Sequence, residues 1–319
     1  MLSKKQVSKL LLKSLLFLMI LFFLDYVIGA ILRDLYFKQD SGYLYRTTYA
    51  MDSTKADILI FGSSTANHHY YPPLFQKRMN MSVYNTGRDG NSVFYNYAVL
   101  ESVLKRYTPK IAILDFDFGE FQKEQASYDR LSSLLPYLNE HPNIQSIIEL
   151  KGPYEKYKLL SKVYPFNSLI FSIGIGNTDY NRKREFVEDV QGYVPLTNQW
   201  DKKIYADKSI KHYELDSNKI NMLKAFIKNC QSSRVKLYIF ISPRFIKYFS
   251  KDPSIEITHS IANEFHVPFH DYTKDTFFLE HPKLFADQIH LNDTGAKVFS
   301  NIVIDDIKEN EQKEMMSKN

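Results

Sequence analysis

The chain has 319 residues, 44% of them hydrophobic and 24% charged, which is enough apolar content for one sizeable core and excludes a disordered or fibrous chain. Its 41 basic and 36 acidic residues leave a formal charge of +5, inflated by lysines near the N-terminus, so no footprint for nucleic acid is read from it. The single cysteine, Cys230, excludes an internal disulfide framework or a cysteine-based zinc cluster and falls late in a predicted helix, where a buried thiol is expected.

Lys4, Lys5, Lys9 and Lys13 precede an apolar run from Leu15 to Leu24, which continues past Asp25 to Leu32. That is long enough to span a bilayer. A carboxylate at the bilayer centre costs about 2.5–3.5 kcal/mol, while each surrounding Leu, Ile, Phe or Val returns about 0.3–0.6 kcal/mol, so insertion wins. The lysines place the N-terminal side in the cytoplasm and the bulk of the chain on the far side, periplasmic or extracellular. No small-x-small cleavage site follows, so residues 1–33 read as an uncleaved signal anchor rather than a removed leader. Residues 34–55 mix tyrosines and charges without clear periodicity and read as a juxtamembrane connector.

The enzyme-sized domain is expected over 56–310, followed by a polar tail, 311–319. Residues 57–61, Asp-Ile-Leu-Ile-Phe, form a short apolar run that ends in Gly62-Ser63-Ser64: a buried strand feeding a tight turn and then a helix. Strand 82–85, helix 92–106 and strand 111–116 follow. The same alternation returns as helix 216–230, strand 236–241, helix 255–265, strand 267–269 and helix 294–307. Alternation of this kind predicts a mainly parallel sheet covered on both faces. Between the halves, residues 120–200 break the pattern with helical stretches and several prolines, and read as an insertion that either caps the site or elaborates the periphery. Within it, Gly174-Ile175-Gly176 lacks the context of a dinucleotide fingerprint and reads as a loop.

A serine between a strand and a helix lies at the carboxyl edge of a parallel sheet, where open α/β folds bind ligands, and the helix start offers free N–H groups to an anion. Ser63 and Ser64 also suit a plain helix cap. Near the other end, Asp287-Gln288-Ile289-His290 precedes the last helix. A histidine is the usual base for a serine, and an acid three residues away can fix its tautomer. His68 and His69 are candidates for substrate contact, with packing or exposure as the plainer reading. With Asp287 and His290 they also offer imidazole and carboxylate ligands, but adjacent helical histidines face different ways, and neither metal nor cofactor is expected. Arg244, after the fourth strand, can meet an anionic or hydroxylated substrate, or simply be solvated. Asp115 and Asp117 lie too close on one strand face to serve as a glycosidase pair.

Together, Gly62-Ser63-Ser64 after the first strand, Asn85-Thr86-Gly87-Arg88-Asp89-Gly90-Asn91 after the second, and Asp287 with His290 before the last helix resemble the SGNH/GDSL hydrolase family. The Gly-Ser-Ser form is similar to that of its membrane-attached, cell-envelope members. The resemblance implies a three-layer α/β/α sandwich with a flavodoxin-like sheet. It also implies Ser64 as nucleophile, His290 as base, Asp287 as its orienting acid, and an oxyanion hole from the N–H groups of Ser64 and Gly90, with Gly87 as a substitute. One block departs from the pattern: residues 114–120, Leu-Asp-Phe-Asp-Phe-Gly-Glu, hold no asparagine where the family has an oxyanion donor. Losing one such donor costs about 2.7–4 kcal/mol in the subtilisin example.

The implied function is a membrane-anchored serine esterase acting on O-acyl, chiefly O-acetyl, groups of a cell-envelope or exported polysaccharide. The implied partners are an acylated carbohydrate, the membrane, and a membrane-bound acyltransferase or export machinery. Two alternatives stay open: an O-acyltransferase with the same residues, and a catalytically silent binding or assembly protein motivated by the missing asparagine.

Overall fold

The computed structural model describes residues 3–179, 190–209 and 212–317. It opens with α1 (Lys4–Phe37), one helix long and apolar enough to cross a membrane. Its side chains are exposed as far as Leu24 and meet the rest of the protein from Asp25 onward. Asp25 is therefore not stranded in the apolar run, because its carboxylate accepts from Ser161 Oγ (2.5 Å) and from the N–H groups of Lys162 (2.7 Å) and Val163 (3.4 Å). Four residues on, Gly29 lets the backbone of Lys162 approach so closely that a Cβ would lie 2.5 Å from its carbonyl carbon.

The segment expected as a connector is helical and packed. Tyr36 near the end of α1, Leu44 and Thr47 of α2 (Gly42–Thr48), and Ala50 and Met51 in the π-helical turn Tyr49–Ser53 are buried. Aromatic and polar residues obscured the helical period, because the buried Tyr36 and Thr47 and the half-buried Thr48 are held through hydrogen bonds: Tyr36 and Thr48 to Tyr137 (each 2.8 Å), and Thr47 to Tyr95 (3.3 Å).

The core is a five-stranded parallel sheet in the order β2–β1–β3–β5–β7. Its strands are β1 (Ile58–Phe61), β2 (Val83–Asn85), β3 (Ile111–Asp115), β5 (Lys236–Ile241) and β7 (Phe269–Asp271). Alternation along each strand divides the apolar residues between two clusters. Leu59, Phe61, Ala112, Leu114, Ile239 and Ile241 pack with α5 (Val93–Leu104) and α6 (Ser217–Ser232). Ile58, Ile60, Ile111, Ile113, Tyr238 and Phe240 pack with α3 (Ser64–His69), α4 (Pro72–Met79) and α8 (Asp293–Ser317). With apolar residues on both faces, the strands read as continuous apolar runs.

Three expectations are corrected in detail. The strand expected at 267–269 begins at Phe269, because α7 (Pro253–Glu264) is ended by His266 at φ 56° and Val267 donates back to Ala262 (2.8 Å). The Gly174 to Gly176 segment is the end of a helix, Ile170–Gly176, not a loop. The polar tail extends α8 to Ser317, with Lys236 reaching Glu311 (3.1 Å) and Glu314 (3.5 Å). A short parallel pair, β4 (Tyr205–Asp207) with β6 (Ile246–Tyr248), was not anticipated; it is mostly exposed and lacks a strong apolar signal. The insertion is a run of short α and 3-10 segments whose Leu131, Leu134, Ile147, Ile148 and Phe166 join the cluster under α5. Its residues 180–189 lie outside the described residues.

Where β1 turns into α3, Gly62 adopts φ 149°, and a Cβ there would lie 2.6 Å from both the Asp115 carbonyl oxygen and the Ala66 Cβ. Gly62→Ala should therefore cost about 2 kcal/mol or more and lower Tm by roughly 4–8 °C. Thermal unfolding of the purified variant checks this, and an unchanged Tm would refute the steric account.

Candidate active site

Ser64 is the first residue of α3, at the carboxyl end of β1 and between β2 and β3, the point where the strand order reverses. Its N–H has no place in the helical ladder and is free for a ligand. His290 lies in the loop before α8, and its Nε2 is 2.8 Å from Ser64 Oγ. The Nδ1 of the same ring is 2.8 Å from Asp287 Oδ2 and 3.1 Å from Oδ1. Because a carboxylate only accepts, Nδ1 carries the proton and Nε2 accepts from the serine hydroxyl. Asp287 Oδ1 also takes the N–H groups of Ile289 (2.7 Å) and His290 (2.8 Å). Burial works against its charge, but the hydrogen bond from His290 and the two backbone donors hold its carboxyl down at about 2. The arrangement can accept a proton from Ser64 as its oxygen attacks an electrophile.

The loop is pinned from several sides. Ala286 donates to the His290 carbonyl (2.8 Å), Phe245 to the Gln288 carbonyl (2.9 Å), and Asn292 to the Leu284 carbonyl (2.9 Å). His69 supplies another pin: its ring is fully buried and its Nε2 accepts from the Leu291 N–H (2.9 Å). Burial drives the His69 pKa well below its ordinary value and keeps the ring neutral, as an acceptor must be. The expected substrate contact is thus corrected for His69, which stands behind the loop and faces no solvent. His68 is also buried; its Nδ1 is 2.6 Å from the Val194 carbonyl, its Nε2 is 3.4 Å from Asp89 Oδ2, and its ring sits edge-on to His290 at 5.5 Å. Burial raises the Asp89 pKa, but His68 and the Asn67 amide (2.7 Å) outweigh it and hold the carboxyl near 2.

Of the two glycines considered for the oxyanion, Gly87 spends its N–H on Asn85 Oδ1 (2.9 Å), whereas the Gly90 N–H has no partner among the described residues. Gly90 has φ 68°, a conformation suited to glycine, and lies against the guanidinium of Arg130. Arg244 is neither solvated nor free: it is nearly buried, ion-paired with Asp117, and stacked over the Phe118 ring at 4.5 Å. Asp117 also accepts from the Phe118 N–H (2.8 Å). Asp115 is enclosed, accepting from Tyr70 Oη (3.0 Å) and from the N–H (3.2 Å) and Oγ (2.7 Å) of Ser242. Burial is the largest influence on it and pushes its carboxyl up to about 6 despite these donors. Asn67 and Ser242 had no mark in the sequence beyond being polar, and Asp89 none beyond its place in the block at 85–91, since only folding brings them to this sheet edge. Among the described residues, no group of three or more His, Cys, Asp and Glu side chains is arranged to hold a metal ion.

No family model matches the sequence, and a search of curated proteins found no match. Among solved structures the chain is similar to an acetyl xylan esterase, with a TM-score of 0.37 and 14% identity over 79% of this chain and 98% of that one. A likeness at that TM-score bears no weight for function, which rests on the geometry above.

The raised Asp115 pKa has a definite sign. The folded state holds this proton above the unfolded value near 3.9, so stability falls as pH rises from about 4 through about 6 and is level beyond. Asp115→Asn should flatten that part of the profile, seen as a smaller difference in Tm between pH 4.5 and pH 6.5. An identical difference in the variant and the parent would contradict it.

Proposed function

We propose that the chain is a membrane-anchored serine enzyme that forms an acyl-enzyme with O-acyl esters, chiefly O-acetyl, of a cell-envelope or exported glycan. The observation that carries this reading is the continuous line from Asp287 through His290 to Ser64. Ser64 Oγ attacks the acyl carbonyl while its proton passes to His290 Nε2, and the imidazolium is stabilised by Asp287. The tetrahedral oxyanion is met by the N–H groups of Ser64 and Gly90. His290 returns the proton to the departing sugar oxygen, leaving an ester on Ser64. Water then completes hydrolysis, or a sugar hydroxyl completes transfer. The SGNH-type three-layer domain over 56–310, with its insertion, belongs to the same proposal and is supported by the parallel strand order with β1 at the switch point.

One feature favours a second reading, that of a silent binding or assembly protein. Asp117 brings a carboxylate where the resemblance calls for an amide donor, although its pairing with Arg244 screens the charge from a developing oxyanion. Ser64→Ala should abolish both labelling by a fluorophosphonate probe and hydrolysis of p-nitrophenyl acetate, and Asp287→Asn should reduce kcat by about 10²–10⁴-fold by freeing the wrong tautomer. Absence of labelling in a folded parent protein would establish the silent reading.

In this reading α1 is the anchor and the chemistry takes place beside a bilayer, which the length and apolar composition of α1 support. The domain surface next to the docked end of α1 exposes Tyr157, Leu160, Ile170 and Phe171, interspersed with Lys156, Lys158 and Lys162, a composition suited to an anionic lipid interface. With the lysine-rich end of α1 cytoplasmic, this surface rests on the outer leaflet of that membrane. An environment-sensitive dye on Phe171→Cys in proteoliposomes should show a blue-shifted emission quenched by spin-labelled lipid, while the same dye on Phe249→Cys should report water. The buried Cys230 will not compete for label. Water-like emission at both positions would exclude the lipid contact.

A further inference from the structure

A cavity of about 980 Å³ lies beside the candidate reaction centre. It shares a wall with that centre, since Asn67 of α3 and Asp89, the partners just described, line it. Its other walls come from α2 and from the insertion, and five of its side chains are cationic: Arg46, Arg88, Arg130, Lys151 and Lys158.

These cations are not equally satisfied. Lys151 and Lys158 are answered by Glu155, at 3.7 and 2.6 Å. Asp89 is engaged with Asn67 and His68, and Asp129, the other carboxylate in the lining, accepts from Gln125 (3.1 Å). The three arginines have no carboxylate within ion-pairing distance among the described residues, and Arg46 acts on Asp89 only from a longer distance, helping to keep its carboxyl ionised. Arg88 is held by neutral groups instead: it donates to Thr47 Oγ1 (2.9 Å) and lies over the rings of Tyr43 (5.0 Å) and Tyr95 (5.6 Å). Stacking of this kind fixes the plane of a guanidinium while leaving its charge and most of its donors unspent. With five cations set against Asp89 and Asp129 in the lining and Glu155 beside the two lysines, the concavity keeps an excess of positive charge for an entering anion to meet. Arg130 also rests against Gly90, so an anion in the cavity would lie close to the proposed oxyanion donor.

We propose that this cavity binds a phosphate- or carboxylate-bearing saccharide, so that the glycan presented to Ser64, as acyl donor or as acceptor, is anionic. The binding claim stands on the arginines; its role in acyl chemistry rests on the reading of Ser64 as nucleophile. Both anion types offer the same oxygens to a guanidinium fork, and the choice of probes separates them.

The test uses the full chain in detergent micelles carrying Ser64→Ala, which removes turnover without altering the cavity. Trigalacturonate, glucose 6-phosphate and neutral maltotriose are titrated by calorimetry. At least one anionic probe should bind 10-fold or more tightly than maltotriose, and which one does so identifies the carboxylate or phosphate arm. That affinity should weaken about 10-fold or more in Arg46→Gln/Arg130→Gln, two side chains with no hydrogen bond or ion pair among the described residues, and should fall between 50 and 500 mM salt. Maltotriose binding as well as both anions, or an unchanged affinity in the double variant at an unchanged Tm, overturns the proposal. Fluorophosphonate labelling of the parent without anion binding overturns this inference alone. Anion binding without labelling upholds the anion site and overturns the acyl-enzyme reading.

Discussion

Ser64 and His290 are separated by 226 residues and must meet at 2.8 Å, and the way the chain closes that gap organises much of the molecule. The turn at Gly62 starts α3 directly at the sheet edge, and the opposite end of that short helix carries His69, whose ring accepts from Leu291 in the His290 loop. Ser300 of α8 completes the clamp: its Oγ accepts from the Tyr71 N–H (2.7 Å) and donates to the His69 carbonyl (3.4 Å). The first and last parts of the fold are thereby tied by hydrogen bonds that are buried or nearly so, and these hold direction better than apolar packing, because an unmade bond there leaves a desolvated donor or acceptor.

Electrostatics separates the groups around the centre into distinct states. Asp287 and Asp89 are kept ionised by donors aimed at them, whereas Asp115, one strand in and wholly enclosed, is raised toward neutrality even though three donors face it. The difference follows from geometry: Asp287 is half-exposed and receives two backbone N–H groups as well as an imidazole, while Asp115 is wholly buried and its Oδ2 makes no hydrogen bond of normal geometry among the described residues. The Asp117–Arg244 pair sits at this same edge, with the carboxylate compensated by the guanidinium. The backbone N–H groups at this edge are oriented by the α3 start at Ser64 and by the left-handed conformation of Gly90.

The segment between β3 and β4 joins α1 to the sheet. Its residues 161–163 satisfy Asp25, its tyrosine Tyr137 bonds Tyr36 of α1, and its apolar side chains extend the core beneath α5. The same segment supplies one wall of the arginine-lined cavity. These contacts fix the last turns of α1 against the domain, which a flexible tether would not do.

What the sequence by itself determined is what depends on short-range pattern. The apolar runs at 58–61, 111–114 and 237–241 were legible because burial on both faces leaves them without polar interruption, and the long helix because residues 15–32 are apolar on every face with Asp25 the one charged residue among them. Ser64 and the Asp287–His290 pair were legible because each is a local constellation, a strand–glycine–serine turn and an acid three residues from a histidine. Tertiary structure alone decided their union at 2.8 Å, the withdrawal of His69 behind the loop, the pairing of Arg244 with Asp117, and the choice of Gly90 over Gly87 as the free N–H. It alone also drew together Arg46, Arg88 and Arg130, which lie on three separate stretches of chain. The reason is physical: a polar side chain's role is set by the partner it meets, and those partners come from elements distant in sequence. Periodicity records which face is buried, and carries nothing about which donor finds which acceptor.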